Sequence, residues 1–296
     1  MISRTNLFAA IYENCKSRAN IDMLAEPRPF PLLVDVELTN LCNFQCITCP
    51  TGRRVLSRPL GFMTSEIFEK ILKEAIKELC LGIRFVRWGE PTLHPCLLKF
   101  IGQAVEAGIK CHINTNGFFC DDEFIERIVR IPLHSIKFSL QGLDKSTYEI
   151  VRRNGDFLKL MDAIQTLYEY RFKRKFPFMT IDTTITDESP ERIDNFKKVM
   201  GGICDKVSVG KTREIIFPKS PQTNFPQCPE VFNKLSIDWD GVVTACCGDW
   251  NRLMVVGDVR KQTLKEIWNS ERLNYFRKTI VARRHNTLPL CGNCKL

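Results

Sequence analysis

Leu32-Leu33-Val34-Asp35-Val36-Glu37-Leu38-Thr39-Asn40-Leu41-Cys42-Asn43-Phe44-Gln45-Cys46-Ile47-Thr48-Cys49 joins an apolar run to three cysteines separated by three and then two residues. The run from Leu32 to Leu38, ended by polar Thr39-Asn40, predicts a strand that hands the chain to a thiol-rich loop. Three thiolates this close can hold one metal centre together. They do not finish it, because three cysteines complete neither a tetrahedral zinc nor a cubane iron-sulfur cluster. A cluster short of one protein ligand keeps an iron free for a substrate or cofactor, which is a reason to stop at three.

Beyond this loop the grammar of strand then helix repeats. Thr64 to Cys80 carries apolar pairs at 67/68, 71/72, 75/76 and 79/80, the spacing of one buried helical face, with Thr64 as its cap. Strand Ile83 to Trp88 precedes helix Leu97 to Ala107, closed by Gly108, and strand Lys110 to Thr115 precedes helix Asp122 to Arg130. Strand Ser135 to Leu140 with helix Phe157 to Tyr170, strand Phe178 to Thr184 with helix Glu191 to Met200, and a sixth strand Lys206 to Lys211 complete the series. Such repetition predicts an α/β fold with a parallel sheet and right-handed crossovers. Functional residues then belong at the C-terminal ends of strands. Trp88-Gly89-Glu90-Pro91, Asn114-Thr115-Asn116-Gly117 and Ser139-Leu140-Gln141-Gly142 all fall there, although each could also be a plain turn.

The C-x3-C-x2-C spacing resembles the signature of the radical S-adenosylmethionine (SAM) enzymes, and the later segments resemble that family's motifs in the same order. The resemblance implies a partial (β/α)6 TIM-like barrel. It implies that Cys42, Cys46 and Cys49 hold a [4Fe-4S] cluster whose fourth iron chelates SAM, and that SAM is cleaved to a 5′-deoxyadenosyl radical. Thr48 stands where relatives carry an aromatic residue, and Trp88 replaces the first glycine of the Gly-Gly-Glu-Pro motif. Gly89, Glu90 and Pro91 are then expected at the SAM amino group, with Asn116 in the Thr-Asn-Gly segment. Ser139 and Gln141 are expected near the ribose, Gln141 replacing the usual aspartate. Arg152, in preference to Arg153, is expected at the SAM carboxylate, which a guanidinium fork suits.

After Phe217 four prolines crowd a connector, which places boundaries at 1-31 for an N-terminal helix and linker, 32-217 for the barrel and 218-296 for a small extension. Leu235 to Asp238 and Val242 to Ala245 flank Trp239-Asp240-Gly241 and read as a hairpin. A helix from Thr263 to Ser270, continuing toward Val281, leads to Cys291-x2-Cys294. Cys228, Gly241, Cys246 and this last pair resemble the SPASM/twitch extension of radical SAM enzymes. Because the chain ends two residues after Cys294, the short twitch form with one auxiliary [4Fe-4S] cluster on Cys228, Cys246, Cys291 and Cys294 is expected. Zinc is the physical alternative for four thiolates. Cys247 is left over as a spare, an alternative ligand or a hydrogen donor to a substrate radical. Gly257-Asp258-Val259 and Trp268 read as structural.

Fourteen cysteines without an export signal argue for metal binding and free thiols in a reducing, cytoplasmic setting. Cys15, Cys80, Cys96, Cys111, Cys120 and Cys204 sit singly and read as small apolar residues. No stretch of about 18 apolar residues suggests a membrane span. The formal charge of +9 counts every cysteine as neutral. Two clusters would bring it to about +6, so the excess disfavours nucleic acid and fits an anionic small substrate or an acidic flavodoxin- or ferredoxin-type electron donor. Only 41 residues precede Cys42, which favours a small sugar- or cyclitol-like substrate, oxidised or epimerised, over a leader peptide. A peptide or protein maturase is the alternative. A non-catalytic protein with zinc in both cysteine sets and phosphates on its basic runs is a third reading, which gives no role to Gly89-Glu90-Pro91.

Overall fold

The computed structural model describes residues 4–16, 28–212 and 228–294. Six parallel strands, β1 (Leu33–Val36), β2 (Gly82–Phe85), β3 (Lys110–Thr115), β4 (Ser135–Ser139), β5 (Phe178–Ile185) and β6 (Lys206–Lys211), pair in sequence order. The register runs Asp35 to Arg84 to His112, and then His112 to Ser135 to Phe178. The sheet is open at β6, so the barrel is partial.

One face of the strands is apolar. Val34, Val36, Ile83, Phe85, Ile113, Ile136, Phe138 and Ile181 are buried among the helices α2 (Ser65–Lys77), α3 (Leu97–Glu106), α4 (Asp122–Arg130), α6 (Phe157–Tyr170) and α7 (Pro190–Gly201). Phe68 of α2 stacks on Phe100 of α3 with centroids 4.1 Å apart. Each fully buried side chain of this size is worth about 1.5–3 kcal/mol. Asp121, Asp156 and Ser189 cap α4, α6 and α7 by accepting from backbone N–H groups. Cys80, Cys111 and Cys120 are buried in this layer; Cys96 and Cys204 are half-buried.

The alternate residues, which point the other way, are polar. Asp35 accepts two bonds from Arg84, at 2.6 Å each, and lies 3.6 Å from Lys234. Burial works against its charge, but Arg84 and Lys234 hold its carboxyl down to about 2. His112 contacts Ser135 and Asn114 through its two ring nitrogens. Burial, helped by Arg84, pushes its pKa down to about 3, so the imidazole is neutral. Lys137 pairs with Asp182 at 3.2 Å. Such an interior does not fill itself with aliphatic side chains, and it stays open at the C-terminal strand ends. At the other end helix α1 (Leu7–Lys16) covers the strands, with Phe8 against His112 and against Gly82, where a Cβ would meet its ring at 2.9 Å.

The C-terminal extension continues the same sheet. Strand β7 (Lys234–Ile237) pairs in parallel with the free edge of β1, and β8 (Val242–Thr244) and β9 (Val255–Asp258) follow antiparallel. The expected hairpin is present, with Gly241 at φ +92 closing its turn. Gly257 and Asp258, which read as structural, belong to β9; a Cβ on Gly257 would stand 2.5 Å from Ile267. The single expected C-terminal helix is two, α9 (Leu264–Trp268) and α10 (Glu271–Val281), because Thr263 and Ser270 each cap a separate start. Two short helices, α5 (Lys145–Val151) and α8 (Glu230–Asn233), are additional to the expected elements. The boundary expected at 217 lies outside the described residues. Among the described residues no helix is long and apolar enough to cross a membrane.

Candidate active site

A cavity of about 620 Å³ opens where β2 to β6 end. Its walls include Cys42, Cys46, Cys49, Gly89, Glu90, Asn116, Ser139, Gln141 and Arg152, so nine of the residues expected at a cofactor share one space. The cysteine loop is fastened from several sides. Asn40 donates to the Pro59 carbonyl at 2.8 Å and accepts from Gly61, and Gln45 and Ile47 donate to the carbonyls of Arg153 and Val151. Gly52 crosses so close that a Cβ would stand 2.4 Å from the backbone N and O of Cys46.

The three thiols are half-buried. Burial pushes Cys42 up to about 12, with Glu90, Cys46 and Cys49 adding to it, and burial raises Cys46 against the opposing pull of Arg152. Three thiolates beside one another need a cationic centre to exist together. Among the described residues no fourth thiol lines the cavity, so three thiols would hold a centre here. Donors in the cavity wall support the fit: Nε1 of Trp88 and Nε of Arg152 are buried and have no partner among the described residues.

Glu90 is 3% exposed, and both of its carboxylate oxygens are hydrogen-bonded. Its Oε1 accepts from the Thr92 backbone, the Thr92 hydroxyl and the Thr115 hydroxyl, and its Oε2 from the Asn116 backbone at 2.8 Å. Burial raises its pKa, while these donors act to keep it charged. The carboxylate therefore ties the loop after β2 to that after β3. Gly89 is required at this seam, since a Cβ would lie 2.0 Å from the Thr39 carbonyl oxygen. Pro91 starts a short 3-10 turn and is absent from the cavity wall. Asn116 reaches back to Asn43 in the cysteine loop at 2.9 Å.

Gln141 occupies both ends of its amide. Nε2 donates to the Thr184 carbonyl and the Thr212 hydroxyl, and Oε1 accepts from the Thr184 hydroxyl at 2.7 Å. An aspartate could not donate to a carbonyl, so the amide here braces the open edge formed by β5 and β6. Ser139 lines the same space with its hydroxyl unbonded among the described residues.

The two arginines follow the end of α5 and differ in surroundings. Arg152 lines the cavity, donating to the Leu140 carbonyl at 3.3 Å, while Arg153 is exposed and contributes its backbone carbonyl to Gln45. Arg152→Met is expected to weaken SAM binding at least tenfold, the cost of about 1.5–3 kcal/mol for a charged hydrogen bond, while Arg153→Met leaves it within twofold. Equilibrium binding of SAM to the reconstituted protein checks this; equal losses in both variants would remove the distinction.

Sequence patterns did not single out Arg87, Asp182, Thr184, Ser208, Lys211 or Thr212, which also line the cavity. A signal was available for Arg87, Lys211 and Thr212, which follow or end β2 and β6, and for Thr184 near the end of β5, but Asp182 and Ser208 lie within their strands.

In the extension Cys228, Cys246, Cys291 and Cys294 sense one another's charge: Cys294 acts on Cys228 and Cys291, and Cys228 acts on Cys246 and Cys291. Burial pushes Cys228 and Cys291 up to about 12. Among the described residues the one group of three metal-ligating atoms mutually within 4.8 Å is Glu230, Cys246 and Cys247. No three of Cys228, Cys246, Cys291 and Cys294 form such a group among the described residues. Cys247 is not in the cavity wall. Its sulfur contacts Lys234 Nζ at 3.6 Å and Glu230 at 3.4 Å.

Three thiols in the wall of a cavity define an enzyme that presents its cofactor to a substrate instead of burying it. The particular family follows from comparison. The model of the radical SAM superfamily matches residues 36–196, and that of an iron-sulfur cluster-binding domain, SPASM, matches residues 228–295. The chain belongs to the radical SAM superfamily. These domains imply a SAM-binding [4Fe-4S] cluster, an auxiliary cluster and SAM. The tungsten-containing aldehyde ferredoxin oxidoreductase cofactor-modifying protein of Pyrococcus furiosus is 25% identical over 88% of this chain and 86% of its own. The S-adenosyl-L-methionine-dependent 2-deoxy-scyllo-inosamine dehydrogenase of Niallia circulans is 24% identical over 88% and 92%. The fold is similar to that of BtrN in complex with AdoMet and 2-DOIA, with a TM-score of 0.61, 19% identity and coverage of 91% and 94%. It is also similar to Streptococcus suis SuiB bound to S-adenosylmethionine, with a TM-score of 0.70, 15% identity and coverage of 93% and 75%.

Proposed function

We propose that this enzyme oxidises a small, hydroxyl-rich substrate, and that the expected residues take the roles read from the sequence: Cys42, Cys46 and Cys49 at the SAM-binding cluster, Arg152 at the SAM carboxylate, and Cys228, Cys246, Cys291 and Cys294 at the auxiliary cluster. The bound cluster and SAM supply a hydrogen-abstracting radical. The protein supplies position and a dry cavity. The observation that carries the substrate class is the far wall, where Asp182 and Ser208 bring a carboxylate and a hydroxyl to the cavity beside Thr184 and Thr212, whose hydroxyls are held by Gln141. Glu90 is tied to the loops that frame the site, whereas Asp182, paired with Lys137 through Oδ2, keeps Oδ1 unbonded among the described residues for a substrate hydroxyl or amine. A relative named as a dehydrogenase of 2-deoxy-scyllo-inosamine supports a cyclitol-like class.

Oxidation is favoured over epimerisation by the position of Cys247. Returning a hydrogen atom to a substrate carbon needs a thiol at the cavity, and Cys247 instead contacts Lys234 and Glu230. Loss of a hydrogen atom from a carbinol carbon, then of the hydroxyl proton and one electron, yields a ketone. The auxiliary site offers that electron a destination. For the electron that starts the cycle we propose a flavodoxin- or ferredoxin-type donor, whose acidic surface suits exposed Arg53, Arg54 and Arg153 around the cysteine loop.

Reconstituted enzyme, incubated with SAM, a reductant and a panel of aminocyclitols and sugars, is expected to release deoxyadenosine and a ketone in equal amounts, without solvent deuterium entering the substrate carbon. Turnover of peptides alone, or solvent deuterium that disappears in Cys247→Ala, would overturn the reading.

A further inference from the structure

Arg87 stands between the two cysteine sites. The residue belongs to the cavity wall, immediately before Trp88-Gly89-Glu90, and its side chain, 0% exposed, reaches into the extension. There Nη1 donates to the Cys246 carbonyl at 3.4 Å and to the Thr244 hydroxyl at 3.3 Å. Nη2 donates to Asp238 at 2.7 Å and to the Asp249 carbonyl at 3.0 Å. One guanidinium thus clamps both ends of the turn that carries Cys246. Nε is buried without a partner among the described residues.

The backbone at Arg87 adopts φ +114, a conformation that side chains other than glycine rarely accept. Such strain persists where the surroundings over-determine it. Here it sends the side chain to the extension while the next residues turn into the cavity. Asp238 is shared, since it also receives Arg252 at 2.7 Å and lies 3.9 Å from Arg58, so it does not neutralise Arg87 alone. Glu37, the other acid nearby, is held by the Arg58 fork.

We propose that Arg87 is a positioning residue that couples the auxiliary site to the SAM cavity and, by holding a buried positive charge against the Cys246 loop, raises the reduction potential of the auxiliary cluster. The proposal rests on the assignment of Cys228, Cys246, Cys291 and Cys294 to that cluster. Adding an electron to a cluster adds negative charge, so a fixed cation beside it favours the reduced form. Such a cluster is a better acceptor for the electron that a substrate must lose.

The test is a potentiometric titration followed by electron paramagnetic resonance on reconstituted protein carrying both clusters. In Arg87→Met the auxiliary signal should move to more negative potential by at least tenfold in the reduction equilibrium, 59 mV for one electron. The first-site signal should stay in place. Asp238→Asn, which removes the opposing charge, should move the auxiliary signal the other way, and Arg87→Lys should recover most of the wild-type value. Shifts of the same sign in Arg87→Met and Asp238→Asn, or no shift in either, would overturn the proposal. If Arg87→Met fails to hold its second cluster, an unmoved potential in Asp238→Asn would do so. Wild-type protein with one cluster signal and about four irons would refute the auxiliary cluster itself, and the proposal with it.

Discussion

Cys46→Ala is expected to lower the iron content of the reconstituted protein from about eight to about four and to reduce SAM cleavage to background. The quadruple Cys228, Cys246, Cys291 and Cys294 alanine variant should lose the other four irons and keep reductive cleavage. The contrast is informative because the first loop owes little of its shape to its thiols. It is held by Asn40, by the backbone bonds of Gln45 and Ile47, and by Gly52 packed on Cys46. Removing one half-buried sulfur from such a loop should change the stability of the metal-free chain by about 1 kcal/mol or less, so lost activity reports on the site and not on the fold. Retained cleavage in Cys46→Ala would rule out this loop as the place where SAM is activated. Unchanged iron in the quadruple variant would remove the second cluster.

The first loop was legible because its signal is local: three cysteines at fixed spacing after an apolar run need no tertiary information. The strands were legible for the same reason, since their buried face is a run of alternate apolar residues backed by helices of clear period. What could not be read was pairing. That β7 joins β1 in parallel, and that β9 completes the sheet, depends on which edges meet, and Gly257-Asp258 looks locally like a turn. Helix α5 is seven residues long and stands on a cap from Asp144, too short for periodicity to register. Roles inherited by position were the weakest. Gln141 sits where the motif places it, in the cavity wall, but its amide is taken by Thr184 and Thr212, and Glu90 spends its carboxylate on the loops that frame the site. A side chain's position in a motif gives its neighbourhood, whereas its hydrogen-bond partners decide what it has left to offer a ligand. Arg152 and Arg153 make the same point, being adjacent in sequence and different in surroundings.

Arg58→Met should be the most destabilising single change near the site, by about 3–5 kcal/mol. Arg58 follows the cysteine loop and is 3% exposed at its side chain, facing a Glu37 that is 1% exposed. Its two Nη atoms each lie 2.6 Å from a Glu37 oxygen, and its Nε donates to the Trp250 carbonyl at 2.7 Å in the extension. Removing the guanidinium leaves a carboxylate in a place where burial already raises its pKa, with Asp238 nearby to oppose its charge. Glu37 would then take up a proton or draw in water, and Trp88, whose backbone N–H points to the same carboxylate, would lose its support. The penalty comes from the orphaned acid more than from the lost pair, so Glu37→Met combined with Arg58→Met should recover most of the stability, as replacing both members of a buried ion pair commonly does. It should not recover the bond to Trp250, and the double variant should therefore fold while losing its auxiliary cluster to air faster than wild type. Denaturant midpoints for the single and double variants, read with the rate of iron loss, separate the two effects. A single variant less than about 1 kcal/mol below wild type would mean that water reaches Glu37 in solution, and the extension would then be held to the barrel by the sheet and by the bonds of Arg87.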